Sequence, residues 1–107
     1  MADEPVCRVT ITAPDADWLL EFSGQLVSDR LAAGAHNITP IRAVHRWDDQ
    51  INDKPEAMLI CHTKMSLVDE IVQRVNDQHP YVVPCVIAHV IDAGNPPYLQ
   101  WIRDETR

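Results

Sequence analysis

The residues best suited to chemistry in this 107-residue chain are its soft metal ligands: His36, His45, His62, His79 and His89, with Cys7, Cys61 and Cys85. Imidazole and thiolate are the groups copper and zinc favour, and a working site converges three or four of them. No HxH or HxxxH spacing joins the histidines, and no CxxC pairs the cysteines. His79 and Cys85 stand closest to a site, six residues apart across Pro80 and Pro84. They are the candidate metal ligands. They flank a cleft that takes copper or another divalent cation, with further ligands from a second copy. The competing reading is a histidine that bonds a carbonyl to shape the proline turn, next to a buried thiol. Trp47 and Tyr81 offer aromatic faces to a small molecule, or anchor an interface. Lys64 shares a strand face with Glu56, but eight residues of strand put about 26 Å between them, so they do not pair.

Other chemistry is poorly supported. There is no GxSxG, P-loop or HExxH motif. A Cys85 nucleophile with His79 as base would need an oxyanion hole that nothing here indicates. Asp48, Asp49 and Asp53 lack the glycine and glutamate spacing of a calcium loop. The expectation is a binding protein and not an enzyme.

Composition narrows the partners. Sixteen acids against nine bases leave a formal charge of −7, the wrong sign for gripping phosphate backbones. No apolar run is long enough to span a bilayer, and the N-terminal residues lack a secretory pattern. Three widely spaced cysteines do not make a disulfide framework. A cytoplasmic protein with no nucleic-acid or membrane partner is expected.

The elements that must hold these residues alternate in kind. Val6 to Ala13 alternates β-branched and polar residues as a strand does. Pro14 stops it, and Asp15 caps a helix from Ala16 to about Ala33, closed by Gly34. Ala35 to Trp47 reads as a strand that Pro40 confines to an edge or a bulge. A polar turn over 48–53 leads into a strand from Lys54 to Lys64. Ser66 and Asp69 resemble a capping box for a second helix that stops before Pro80. Val86 to Ile91 is the last strand, and Asn95 caps a short helix opened by Pro96 and Pro97. Residues 1–107 thus form a single domain with its core at about 6–102. The fold class is α+β, a ferredoxin-like βαββαβ with a short C-terminal helix. Its four-stranded antiparallel sheet carries both long helices on one face.

That arrangement leaves one sheet face bare. Met58 and Ile60 oppose Leu59 and Cys61, and Ile87 opposes Val86 and Ala88, so both faces carry aliphatic residues. At about 25 cal/mol per Å², burying such a patch is worth several kcal/mol, and a monomer rarely leaves it wet. Self-association of the sheet is expected.

The ordered set Thr12-Ala13-Pro14-Asp15, Leu31-Ala32-Ala33, Asn37-Ile38-Thr39-Pro40, Trp47-Asp48, Glu56 to Lys64, His79-Pro80-Tyr81 with Pro84, and Gly94-Asn95-Pro96 through Ile102 resembles the CutA family of divalent-cation tolerance proteins. The resemblance runs from about Val6 to Ile102. It implies a ferredoxin-like homotrimer whose long hairpin crosses to a neighbour, and a role in response to copper and other divalent ions. It also implies likeness to the PII signalling trimers. The alternative is therefore a PII-like trimer holding a metabolite or nucleotide in its inter-subunit clefts. With Thr12 from the matched set, the cleft candidates are Thr12, Trp47, Tyr81 and Lys64. Family members with a copper site carry cysteine where this chain has Ile11 and a His-His pair where it has Gln78-His79. The family's usual glycine after the Trp-acid pair is here Asp49.

Overall fold

The computed structural model describes residues 3–107. Its strands are β1 (Val6–Ala13), β2 (Gly34–Trp47), β3 (Gln50–Lys64) and β4 (Val86–Val90). The helices are α1 (Ala16–Ser28), α2 (Val68–Gln78) and α3 (Pro96–Glu105), with a 3-10 turn at Met65–Leu67 before α2. Every pairing in the sheet is antiparallel, and the strand order β2-β3-β1-β4 is the expected ferredoxin-like one. Among the described residues no helix is long and apolar enough to cross a membrane.

The core lies between the sheet and the first two helices. Cys7, Val9, Ile11, Leu59 and Cys61 meet Leu19, Phe22 and Leu26 of α1 and Ile71 and Val75 of α2. Asp15 caps α1 as expected, its carboxylate accepting from the Asp17 and Trp18 amides. The helix ends five residues earlier than the apolar spacing suggests, and the reason is local. Arg30 adopts a left-handed φ of 60°. Its amide donates to the Val27 carbonyl and that of Leu31 to Leu26, a Schellman closure made without glycine. Buried Leu31 supplies the apolar contact that accompanies this closure. The Arg30 side chain bonds the Asp104 and Glu105 carbonyls, tying the turn to the end of α3.

Two other caps differ from expectation. Ser66 bonds Glu4 instead of capping α2, and Asn95 makes no side-chain cap on α3. The polar turn expected over 48–53 shrinks to two residues. Asp48 and Asp49 have φ of 54° and 60°, the backbone of a type I′ turn, which lets the ladder run out to Trp47–Gln50. Pro40 behaves as its chemistry requires: β2 is an edge strand, and its register shifts between Ile38 and Ile41.

β1 stops pairing with β3 at Ala13–Ala57, whereas the β2–β3 ladder continues from Ile41–Glu56 to the tip. The result is a two-stranded arm that stretches the subunit to 49 × 25 × 22 Å. Val44, Trp47 and Ile51 on this arm are exposed, Ile51 by 67%. The sheet face away from α1 and α2 is mixed in character. Ile38 and Ile87 are exposed there, but β1 contributes Arg8 and Thr10. α3 covers one end of this face, burying Ile102 against Val6 and Ala33.

Candidate functional site

The root of the arm gathers residues from four places in the sequence. α2 must end at Gln78 because Pro80 cannot continue it, and this delivers His79 to the open end of β1. His79 is buried, with 7% of its surface exposed. Its Nε2 lies 2.7 Å from the Thr12 carbonyl oxygen, and its Nδ1 accepts the Tyr81 amide at 3.0 Å. With Nδ1 accepting, the ring hydrogen sits on Nε2 and donates to Thr12. Trp18 of α1 meets the ring edge-on at 5.3 Å. Thus His79 fastens the proline-rich linker to β1 and aims Tyr81.

Tyr81 then reaches β3. Its hydroxyl donates to Glu56 Oε2 at 2.7 Å, and the Lys54 ammonium stands over its ring, 4.5 Å from the centroid. Burial and the neighbouring Glu56 carboxylate push the phenol above its ordinary value, so it remains a donor. Glu56 is 3% exposed, and its second oxygen, Oε1, is buried without a hydrogen-bond partner. A buried acceptor left unpaired costs about 1–3 kcal/mol, and more when it is charged. Chemically, the cluster offers one hard, electron-rich acceptor held by a phenol that also carries the Lys54 ammonium.

The structure therefore joins three of the expected residues, Thr12, His79 and Tyr81, and separates the rest. Trp47 stands at the tip of the arm, 53% exposed. Lys64 lies at the far end of β3, where its ammonium bonds the Thr106 and Arg107 carbonyls and closes the C-terminal segment onto the sheet. The expected pairing of His79 with Cys85 as metal ligands meets a different geometry. Both ring nitrogens of His79 are hydrogen-bonded, and Cys85 is an exposed thiol. Among the described residues no three His, Cys, Asp or Glu side chains converge to hold an ion. Lys54 is the residue that local reasoning missed, and Glu56, weighed there only beside Lys64, finds its partner in Tyr81 instead. The available signal was a carboxylate immediately before the apolar run Ala57 to Cys61, where a charge needs a partner.

Comparison with known proteins agrees with this architecture. The sequence profile described as CutA1 divalent ion tolerance protein matches residues 7–105. The chain is 34% identical over 103 residues to Protein CutA 1, chloroplastic, of Oryza sativa subsp. japonica, covering 96% of this chain and 58% of that protein. It thus spans under three fifths of the rice relative's length. It is 32% identical to the divalent-cation tolerance protein CutA of Thermus thermophilus, covering 92% of this chain and 95% of that one. The crystal structure of CutA1 from Oryza sativa superposes with a TM-score of 0.93 at 34% identity, covering 97% and 95% of the two chains. The Thermus thermophilus structure gives 0.91 at 30% identity, with 95% and 99% covered. On sequence and fold together, this chain belongs to the CutA1 divalent ion tolerance protein family.

Proposed function

We propose that the chain acts as a homotrimeric binding and regulatory protein in the cytoplasmic response to divalent metal ions such as copper, and that it works by binding and not by catalysis. One observation carries the binding half of this reading: the buried, unpartnered Glu56 Oε1 at the root of the arm. A carboxylate oxygen withdrawn from water calls for a cation or a strong donor. A single subunit offers too few ligands around it, and a neighbouring copy brought against the arm supplies the remainder. The exposed Cys85 thiol, four residues beyond Tyr81, is the soft ligand available to such an assembly. His79 contributes by orienting Tyr81. Three free thiols suit a reducing compartment.

Calorimetric titration of Cu(I), Cu(II) and Zn(II) into the full chain tests the reading. Saturable binding by the assembled protein is expected, weakened about tenfold or more by Glu56→Gln and by Cys85→Ser, as expected when a charged ligand is lost. Absence of saturable binding, or binding that neither substitution touches, would overturn it.

A further inference from the structure

A second polar cluster lies at the opposite end of the sheet from Glu56. Arg8 on β1 is in register with His62 on β3 along one ladder and with His89 on β4 along the other. Neighbouring strands lie about 4.8 Å apart, so the two imidazole-bearing strands flank the arginine strand across about 10 Å. The row belongs to the sheet face that α1 and α2 leave uncovered. It borders a depression of about 470 Å³ whose other walls are Val90, Ile91, Asp92 and Ala93.

Arg8 differs from most arginines of this acidic chain. Arg42, Arg74 and Arg107 are paired with acids, Arg30 is held by carbonyls, and Arg103 has both kinds of partner. Among the described residues Arg8 makes no ion pair and no side-chain hydrogen bond. A planar guanidinium with free N–H groups is matched to a multi-oxygen anion, and it repels a metal ion that the two imidazoles would otherwise suit. His62 is also held in place. The Tyr98 hydroxyl of α3 lies 3.1 Å from its Nδ1, and the His36 ring meets it edge-on at 5.8 Å.

We propose that Arg8, flanked by His62 and His89, binds a small multi-oxygen anion of the phosphate class on this face of the sheet. The charged and titratable groups facing the site are Arg8 on β1, His36 on β2, His62 on β3, His89 on β4, Asp92 beyond β4 and Tyr98 on α3. Asp92 is the one acid lining the depression, and its charge opposes the ligand. In the free protein, burial first, then His36 and Arg8, lower the proton affinity of His62. A bound anion offsets the charge of Arg8 and so raises the proton affinity of His62. Affinity therefore rises as pH falls.

The test is titration of inorganic sulfate, a tetrahedral oxyanion that keeps its double charge across the range, into the full chain, in whatever assembly it forms. Imidazole resonances are followed by NMR at constant ionic strength, at about pH 6 and about pH 8, either side of the ordinary histidine value. Saturable shifts of His62 and His89 are expected, tighter at the lower pH. Arg8→Gln should weaken binding about tenfold or more, as loss of a charge-assisted pair does. Arg8→Lys should retain part of it, and Asp92→Asn should tighten it. Shifts that do not saturate, or that survive Arg8→Gln unchanged, mean an adventitious ion only and overturn the proposal. Sulfate silence combined with disassembly of Arg8→Gln overturns it as well, since Arg8 would then serve contact between copies.

Discussion

Replacing His79 by alanine separates a structural histidine from a metal ligand. The substitution removes the 2.7 Å bond to the Thr12 carbonyl and the 3.0 Å bond from the Tyr81 amide. Each lost bond leaves a partly buried backbone group unsatisfied, at about 1–3 kcal/mol, with the Thr12 carbonyl nearer the upper figure because water reaches the linker amide more easily. The edge contact with Trp18 at 5.3 Å also goes. Such aromatic pairs add about 0.5–1.5 kcal/mol. A total of about 5 kcal/mol of destabilisation is expected in metal-free protein. At a mid-range slope of about 2 kcal/mol per molar urea, that moves the midpoint by roughly 2.5 M. Urea unfolding with chelator present measures it, at one fixed protein concentration so that the proposed assembly contributes equally to each variant. His79→Asn adds an internal check. Its amide oxygen reproduces Nδ1 but not Nε2, so it should keep the Tyr81 bond and recover about 1 kcal/mol of the loss. If both variants unfold within about 0.5 kcal/mol of the parent, the structural role assigned to His79 is refuted.

Three further outcomes follow from the same geometry. Burial pushes the Cys7 thiol up to about 11 and the Cys61 thiol to about 12, whereas Cys85 is exposed. A disulfide reagent should therefore titrate one thiol in the native protein and three in denaturant, and rapid reaction of more than one native thiol would contradict the packing. His62 is held below its ordinary value of 6.5, by burial first and then by His36 and Arg8. The unfolded chain binds that proton more readily, so this group's contribution to stability is complete above pH 6.5 and is lost as pH falls below that value through the lower folded one. His62→Gln should flatten this part of a stability-versus-pH curve, and an unchanged slope would refute the assignment. Asp49 occupies a left-handed φ of 60°. Asp49→Gly should raise stability by about 1 kcal/mol in thermal unfolding, and a loss would show that the turn needs the carboxylate.

Local chemistry made much of the fold legible. β-branched alternation marked β1, Asp15 announced α1, and Pro40 forecast an edge or bulge, because each feature acts within a few residues. The misses arise where one residue does another's usual work. Arg30 takes the left-handed position that glycine normally fills, so α1 stops before Gly34 marks an end. Ser66 was available as a cap, but Glu4, brought near by tertiary folding, is its partner. The site divides along the same line. His79, Tyr81 and Thr12 stood out by type and motif. The pairing of Glu56 with Tyr81 and the Arg8–His62–His89 row emerge only once folding brings together segments far apart in sequence. Trp47 and Lys64 stood out as well, yet the arm and the C-terminal closure carry them elsewhere.

The binding reading depends on a subunit that is incomplete alone. Its arm carries exposed Val44, Trp47 and Ile51, and its open face carries exposed Ile38 and Ile87. Such side chains regain about 25 cal/mol per Å² when a second copy covers them. Sedimentation equilibrium of the metal-free chain at micromolar concentration is the most direct measurement. A single species of three times the 12.1 kDa subunit mass is expected, with Trp47 shielded from an aqueous quencher. A folded species of 12.1 kDa with Trp47 freely quenched would contradict the account.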